Sequence, residues 1–234
     1  MCLNLGPGEP RRLAEDTLRG AMVSFFDFTW PLWAYLLGSV PFGVLLAKAS
    51  GVDLRAIGSG NIGATNAMRA LGKPLGLLAF ALDFGKGFAI PCLLLHGPGA
   101  ADLRLASAAG VAAAAGHAWP IWMRFRGGKA VATAMGALCA IDPAVALWGV
   151  PVWLVAVFLS SHVSVGSLAM SASFPVTAWI RRGHIEGSDA FVAAAALLCV
   201  LIWVRHKPNI ERLLQGTEAR TRLGMRARGA DRDE

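Results

Sequence analysis

Seven apolar runs dominate this sequence and limit what the chain can fold into. They lie at about residues 28–50, 74–96, 103–123, 130–141, 145–161, 164–180 and 188–204, each bounded by glycine, proline, asparagine or charged residues. A helix needs about 20 apolar residues to cross a bilayer, and the fourth run is too short for a full crossing. Strand-like alternation is absent from the runs. The pattern predicts an all-α integral membrane protein with about seven transmembrane helices, one of them short.

Composition supports a single membrane domain. Of the 234 residues, 55% are hydrophobic and 16% are charged, and the mean hydropathy is +0.52. These values exclude a disordered chain and suit a polytopic membrane protein better than a soluble one. We expect a polar, disordered N-terminal extension at 1–25, a membrane domain at 26–218 and a charged cytoplasmic tail at 219–234. No apolar stretch directly follows Arg11 and Arg12, so we do not expect a cleaved signal.

Lysine and arginine are distributed unevenly among the loops. With seven crossings, one set of loops contains residues 51–73, 124–129, 162–166 and the tail from Arg205. Counting Lys48 at its border, this set carries fifteen of the 22 lysines and arginines, whereas the opposite set carries six. Cytoplasmic loops are enriched in these residues, so the first set is predicted to face the cytoplasm. The net charge of +7 indicates membrane orientation and anionic partners rather than nucleic acid.

The most polar stretch between two runs is glycine-rich and ends at a cation. It contains Gly58, Ser59, Gly60, Asn61, Gly63, Thr65, Asn66 and Arg69. Glycines let a backbone approach a ligand closely, and N–H groups at a helix start can bind an anion. Arginine offers a planar cation that suits phosphate. The stretch lacks the Gly-Lys-Ser/Thr of a Walker loop, and a flexible linker is the alternative interpretation.

A second candidate phosphate site precedes the short fourth run. Gly127, Gly128 and Lys129 would combine free backbone N–H groups and the positive end of a helix dipole with a lysine. The alternative is ordinary basic flanking of a membrane helix, which suits Arg124 and Arg126. It accounts less well for the paired glycines and for Thr133.

Two further polar stretches fall on the same predicted side of the membrane. Ser164 to Ser167 begins the sixth run, although serine and glycine are also common where membrane helices pack. Residues 205–218 follow the last run and include His206 and Asn209, which could hydrogen-bond a substrate at headgroup level. An amphipathic cytoplasmic anchor is the alternative for this last stretch.

Asp83 and Lys86 are unusual because they lie three residues apart inside an apolar run. At this spacing on a helix they can neutralise each other. Charges in the membrane interior are costly and often functional. Two interpretations are therefore equally consistent with the sequence: a structural ion pair, or a pair that lines the wall of a polar cavity.

The chemistry is constrained by what the motifs lack. The sequence contains no nucleophile elbow and no His/Cys ligand spacing, so we expect neither a metal nor another cofactor. Cys2, Cys92, Cys139 and Cys199 show no Cys-x-x-Cys pattern. What remains is a basic, donor-rich pocket for a phosphate-bearing substrate with an apolar tail. A transporter of a phosphorylated anion is the main rival, although its site should lie near the midplane between two similar halves. A purely structural scaffold would leave the polar loops unexplained.

These motifs resemble those of the bacterial acyl-phosphate-dependent glycerol-3-phosphate acyltransferases. The resemblance runs in order from about residue 32 to 218. It includes Leu-Asp-Phe-Gly-Lys-Gly at 82–87, Gly-His-Ala-Trp-Pro at 116–120, Arg-Gly-Gly-Lys at 126–129 and Gly-Thr-Glu at 216–218, with the first glycine-rich stretch and Arg-His-Lys-Pro-Asn at 205–209. It implies seven helices in the bacterial plasma (inner) membrane, an outside N-terminus and a cytoplasmic active site. The implied reaction transfers a fatty acyl group from acyl phosphate to sn-glycerol 3-phosphate. Lysophosphatidic acid and phosphate would be the products, in the first step of phospholipid synthesis.

The resemblance and the residues together assign roles. Ser59, Lys129 and His206 are predicted to be catalytic. Predicted to bind the substrates are Gly58, Gly60, Asn61, Gly63, Thr65, Asn66, Arg69, Gly127, Gly128, Ser167 and Asn209. We favour proton transfer to the donor's own phosphate, with His206 as a hydrogen-bonding clamp. The family usually has glycine where this chain has Ala130, so the backbone after Lys129 is expected to be slightly restricted. We expect a monomer.

Overall fold

The computed structural model describes residues 29–97, 102–184 and 188–221, and all regular elements in these segments are helices. The α-helices are α1 Trp30–Gly38, α2 Phe42–Ala49, α3 Ala64–Leu71, α4 Lys73–His96, α5 Leu103–Ala118, α6 Val131–Ile141, α7 Pro143–Ser160, α8 Val163–Arg181, α9 Ser188–Arg205 and α10 Lys207–Leu214. Short 3₁₀ turns occupy Ile121–Met123 and Arg182–His184. The predicted extension at 1–25 and most of the predicted tail lie outside the described residues. The predicted all-α architecture is confirmed for the described part of the chain.

Five segments of the described chain are long and apolar enough to cross a membrane: α1 with α2, α4, α7, α8 and α9. The other two predicted crossings are shorter. Helix α5 has 16 residues and α6 has 11, which correspond to about 24 and 17 Å at 1.5 Å per residue. Both fall short of the roughly 30 Å hydrocarbon core. Seven crossings therefore remain a prediction.

Prolines shorten or interrupt two of the predicted helices. The first run breaks between α1 and α2 at Ser39–Pro41, because Pro41 has no N–H to continue the helical ladder. The third run ends at Ala118 instead of 123, since Pro120 disfavours helical backbone in the residue before it. The chain after Pro120 then turns sharply, with Arg124 and Phe125 at φ values of 51° and 61°.

Glycines let the helices of the bundle pack backbone to backbone. A Cβ at Gly38 of α1 would collide with the carbonyl of Ala113 on α5, and a Cβ at Gly116 of α5 would collide with the carbonyl of Tyr35. Helices α4 and α6 show the same arrangement, because Gly87 lies against the carbonyl of Thr133. Such close contacts are how membrane helices associate. They hold the short α6 in the interior of the bundle, against α4 and α5.

The polar loops meet at one end of the bundle, as the alternation of crossings predicts. We call residues 51–63 the first loop and residues 119–130 the second loop. Arg55 of the first loop donates a 2.8 Å hydrogen bond to the carbonyl of Arg126 in the second. Arg205, at the end of α9, donates a 2.9 Å bond to the carbonyl of Gly128. The loops therefore form one surface.

Contacts at both ends of α7 and α8 fix which loops share a side. The N–H of Thr221 donates a 2.8 Å bond to the carbonyl of Ser161, which brings the C-terminal segment to the α7–α8 turn. At the opposite end, Asp142 before α7 forms an ion pair with Arg181 at the end of α8. The polar stretches singled out in the sequence thus lie together, away from the Asp142 end.

Candidate functional site

The first loop is folded around one buried asparagine. Asn66 is 2% exposed, and its Nδ2 donates to the carbonyls of Leu54 and Ile57 at 2.9 and 3.0 Å. Its Oδ1 accepts the N–H of Ser59 at 3.1 Å. Both amide hydrogens are therefore used inside the loop. Asn66 shapes the loop, and one lone pair of its buried Oδ1 remains for the predicted role in binding substrate.

The glycines of the first loop allow this fold. Gly58 and Gly60 have φ values of 59° and 65°, which only glycine adopts without strain. A Cβ at Gly58 would also approach Asn66 Oδ1 to 2.5 Å. The N–H of Gly60 bonds to the carbonyl of Ile57 at 3.1 Å. Part of the predicted N–H cradle is thus used within the loop.

The polar side chains of this region lie at the accessible edge of the site. Ser59, Thr65 and Arg69 are exposed, and Asn61 is half-buried. Gly63 is the residue that precedes α3 and caps it. Arg69 lies in the last turn of that helix and is exposed. The exposed hydroxyl and guanidinium groups are accessible to a substrate from this end.

The predicted free N–H groups of the second loop are not free. The N–H of Gly127 donates to the carbonyl of Ala118 at 3.2 Å, and that of Gly128 donates to the carbonyl of His117 at 3.0 Å. The prediction that these two N–H groups form an anion cradle is therefore wrong. The two glycines are needed because the loop packs tightly on the end of α5: a Cβ on either would collide with His117.

Arg205 secures the second loop from the other side. Its guanidinium donates to the carbonyls of Gly127 and Gly128, at 2.7 and 2.9 Å. Planar arginine suits such a two-pronged bond. A cavity of about 260 Å³ opens between the loops, lined by residues of both, including Gly60 and Gly127, and by Arg205.

Lys129 is the cation around which the other charged groups gather. Burial lowers its pKa to about 8, which is 10.5 for an ordinary lysine. The charges of Arg212, Arg69 and Arg205 contribute to this lowering, and the carboxylate of Glu218 opposes it. Positive groups from α3, α9 and α10 therefore converge on this lysine.

The residue after Lys129 has a strained backbone. Ala130 is 1% exposed and has a φ of 59° in the left-handed region. It is the residue that precedes the first turn of α6. This left-handed conformation is strained for alanine but not for glycine. The strain corresponds to the restriction predicted for the backbone at this position.

His206 is buried and neutral. It is 2% exposed at the start of α10, and its Nδ1 lies 2.8 Å from the carbonyl of Ile202. Burial and the neighbouring Lys129 lower its pKa to about 4. The contribution of Lys129 to this lowered pKa indicates that the two side chains lie near each other.

Asn209 is connected to the site through Glu218, a carboxylate for which the sequence pattern predicts no role. Its Nδ2 donates a 2.6 Å bond to Glu218, which also accepts a 2.7 Å bond from Arg212. Burial opposes the ionisation of Glu218, but these bonds outweigh it and lower its pKa. The Oδ1 of Asn209 is buried and has no partner among the described residues, so it can accept a hydrogen bond from a substrate hydroxyl.

Ser167 lies deeper, on α8. It is 6% exposed, and its hydroxyl donates to the carbonyl of Val163 in its own helix at 3.0 Å. This is the usual arrangement for serine in a membrane helix. Ser164, one turn earlier, contributes to the lowered pKa of Glu218. Because the hydroxyl hydrogen is used within the helix, only the lone pairs of the Ser167 oxygen remain for its predicted role in binding substrate.

The structure thus brings Arg69, Lys129, His206 and Asn209 to one site and uses Asn66 to build it. The sequence pattern predicts no role for four residues that connect the parts of the site, which are Arg55, Arg205, Arg212 and Glu218. Their positions in the sequence could have indicated a role, because Arg205 directly precedes His206 and Glu218 ends the last matching motif.

Comparisons with known proteins identify the family of this chain. A family profile described as glycerol-3-phosphate acyltransferase matches residues 28–216. The chain belongs to the glycerol-3-phosphate acyltransferase family. Among the relatives, the glycerol-3-phosphate acyltransferase of Aquifex aeolicus is 42% identical over 81% of this chain and 96% of its own length. That of a Thermus thermophilus strain is 44% identical over 84% of this chain and 94% of its own.

Solved structures agree with the assignment to glycerol-3-phosphate acyltransferases. A crystal structure of PlsY (YgiH), an integral membrane glycerol 3-phosphate acyltransferase, in its glycerol 3-phosphate form has a TM-score of 0.76 and 40% identity. The match covers 83% of this chain and 95% of that one. The lysophosphatidic acid form of the same protein gives a TM-score of 0.75 and 38% identity over 84% and 96% of the two chains.

Membership in the glycerol-3-phosphate acyltransferase family decides between the rival functions. The chain is an integral membrane enzyme that transfers an acyl group to glycerol 3-phosphate, a reaction of phospholipid biosynthesis. The transporter and scaffold alternatives are therefore rejected.

Proposed function

We propose that the acyl donor is an acyl phosphate and that the products are 1-acyl-glycerol 3-phosphate and inorganic phosphate. The observation that carries this proposal is the number of cations around one carboxylate. Beyond burial, the charges of Arg212, Arg69 and Arg205 lower the pKa of Lys129, and among the described residues Glu218 is the carboxylate that opposes them. Arg205 is bonded to two carbonyls of the second loop, and Arg212 is paired with Glu218. Lys129 and Arg69 remain as two cations for phosphate, which fits two phosphate-bearing substrates.

The reaction needs no enzyme nucleophile, because an acyl phosphate is already activated. The primary hydroxyl oxygen of glycerol 3-phosphate forms a bond to the acyl carbon, and the bond from that carbon to the phosphate oxygen breaks. The hydroxyl proton ends on the departing phosphate, whose oxygens can accept it in the same step. Positioning the two substrates supplies much of the acceleration in such a reaction.

The site residues take roles that their geometry permits. Lys129, with the first turn of α6 behind it, stabilises the charge that develops on the leaving phosphate. His206 and the unpaired Oδ1 of Asn209 accept hydrogen bonds from glycerol hydroxyls. Ser59 and Arg69, both exposed at the rim, contact the phosphate groups. All these groups come from one chain, so a monomer holds a complete site.

The donor is tested by presenting detergent-purified protein with glycerol 3-phosphate and either palmitoyl phosphate or palmitoyl-coenzyme A. Lysophosphatidic acid should form with palmitoyl phosphate, together with one equivalent of phosphate. The Lys129→Met variant is the matched control for contaminating activity. Comparable turnover with the thioester and no acyl phosphate would overturn the proposal.

We also propose seven crossings of the bacterial plasma membrane, with the site facing the cytoplasm. The uneven distribution of lysine and arginine supports this orientation. Single cysteines at Ser50 and Gly216 should react with a membrane-impermeant label only from the cytoplasm. One at Gly183, beside the Asp142 end, should react only from outside. Labelling of positions 183 and 216 from the same side would contradict seven crossings.

A further inference from the structure

Three ionisable side chains lie buried below the two loops of the site. Asp83 and Lys86 belong to α4, and His117 belongs to the last turn of α5. Lys86 Nζ lies 2.8 Å and His117 Nδ1 lies 3.5 Å from the same oxygen, Asp83 Oδ1. The three residues are 2%, 3% and 5% exposed in chain order. Such a cluster is costly inside a membrane and calls for a function.

Lys86 connects the cluster to the first loop. Its Nζ donates a 2.8 Å bond to the carbonyl of Val40, at the break between α1 and α2, and lies 5.7 Å from the centre of the Phe42 ring. Helix α2 leads directly into the first loop. The lysine therefore fixes the direction in which that helix starts.

His117 connects the cluster to the second loop. Its carbonyl accepts the N–H of Gly128 at 3.0 Å. Its ring also fills the space beside Gly128, because the three atoms nearest to an added Cβ at that position all belong to the imidazole. The position of Gly128, and so of the adjoining Lys129, depends on where this ring lies.

We propose that Asp83, Lys86 and His117 form a positioning network that holds the first loop and Lys129 in one relative geometry for acyl transfer. Asp83 Oδ1 is common to both contacts, because it is the ion-pair partner of Lys86 and lies 3.5 Å from His117 Nδ1. A pair that only neutralised its own charges would need neither the bond to Val40 nor the contact of His117 with Gly128. The effect on catalysis rests on the role proposed above for Lys129.

The contact between His117 and Gly128 is tested by a double-mutant cycle. Gly128→Ala should lower kcat/KM at least tenfold, since its methyl group meets the ring, and His117→Ala should do so because the loop loses its support. The double variant should be less impaired than the product of the two losses, because the methyl group occupies the space that the ring leaves. Losses that multiply independently would overturn the proposal.

The charges are tested with the matched pair of Asp83→Asn and the double variant Asp83→Asn/Lys86→Met. The single variant leaves a buried lysine without its partner and should lower Tm, whereas the double variant should recover it. If the network positions the loops, amide hydrogens at 51–63 and 127–129 of the double variant should still exchange faster than in the wild type. Its kcat/KM should also stay at least tenfold lower.

Recovery of Tm, exchange protection and kcat/KM together in the double variant would show that Asp83 and Lys86 only neutralise each other, and would overturn the proposal. If the double variant does not fold, the cycle between His117 and Gly128 decides. Hydrogen exchange is measured without substrate. It therefore tests the network even if the protein fails to use acyl phosphate, in which case the proposed donor alone is wrong.

Discussion

His206 and Ile202 are joined by a 2.8 Å hydrogen bond between the imidazole Nδ1 and the backbone carbonyl oxygen. A carbonyl oxygen only accepts, so Nδ1 carries the hydrogen and Nε2 retains its lone pair. Burial and Lys129 lower the pKa of the ring to about 4. At neutral pH, His206 is therefore an acceptor for a substrate hydroxyl and a weak base.

Substitutions at His206 should separate the clamp from a general base. His206→Gln places an oxygen near the position of Nε2 and should raise KM for glycerol 3-phosphate only modestly. His206→Asn keeps a donor toward Ile202 but loses that acceptor, so its KM should rise more, with kcat changed less than KM. Steady-state kinetics check both variants. A kcat loss of about 10²–10⁴ in both, with the acidic limb of the pH profile abolished, would make His206 the base.

Stability should fall in acid because of the same residue. The pKa of His206 is about 4 in the folded state and near 6.5 when unfolded, so the unfolded state binds more protons between these values. The free energy of unfolding should decrease as pH falls from 6.5 to 4, by up to about 3 kcal/mol at about 1.4 kcal/mol per pKa unit. Unfolding titrations of the wild type and His206→Gln check this. The variant should lack this part of the pH dependence, and identical slopes would contradict the assignment.

Lys129 should give the enzyme a basic limb. Burial lowers its pKa to about 8, so kcat/KM should fall above pH 8 as the cation loses its proton. Lys129→Arg keeps its charge at higher pH and should remove this limb. Lys129→Met should lose about tenfold or more at pH 7, since a bond to a charged group contributes roughly 1.5–3 kcal/mol. A limb near pH 8 that persists in Lys129→Arg would assign it to another group.

The sequence contains enough information to place the polar loops together. Alternating crossings put the stretches around Gly58, Gly128 and His206 on one side, and the hydrogen bonds from Arg55 and Arg205 show that they meet. Apolar runs also predict the helices. A long stretch that is buried in lipid or in the bundle must satisfy its own backbone hydrogen bonds, and a helix does so.

Sequence patterns could not show how the polar groups are used. Gly127 and Gly128 match an anion cradle by composition, but their N–H groups bond to the end of α5, a partner distant in the sequence. Asn66 likewise is a residue type that is common in binding sites, but its side chain holds the first loop in place. Only the tertiary packing determines which donors remain for a substrate.

The opposite end of the bundle should affect stability without affecting catalysis. Asp142 is buried, accepts the N–H of Ala144 at 3.0 Å as the cap of α7, and pairs with Arg181. Asp142→Ala should lower the free energy of unfolding by about 2–3 kcal/mol, since a cap contributes about 1 and a charged hydrogen bond to the partly exposed Arg181 contributes near the lower end of about 1.5–3. Denaturant unfolding measures this, and kcat/KM should not change.

The matched control for Asp142 is Arg104→Ala, which breaks the exposed pair with Asp102 at 3.8 Å. An exposed pair contributes roughly 0–1 kcal/mol, so this variant should stay close to the wild type in stability. Equal losses in the free energy of unfolding would show that the buried Asp142 contributes no more to stability than an exposed ion pair. A fall in kcat/KM of the Asp142 variant would show that this end of the bundle is coupled to the site.

Ala130 offers the sharpest test of how the second loop presents Lys129. Its φ of 59° costs an L-residue about 1–2 kcal/mol, which Ala130→Gly relieves. Glycine loses about 0.5–1 kcal/mol in backbone entropy, so the net gain in stability should be about 0–1.5 kcal/mol, and kcat/KM should stay within about twofold. Ala130→Val places a β-branched residue where φ is positive and the site is fully buried, which should displace the backbone beside Lys129 and lower kcat/KM at least tenfold. Ala132→Val adds the same atoms at a half-buried position within α6 and is the control. Equal activity of the two valine variants would contradict a requirement for the left-handed conformation at Ala130.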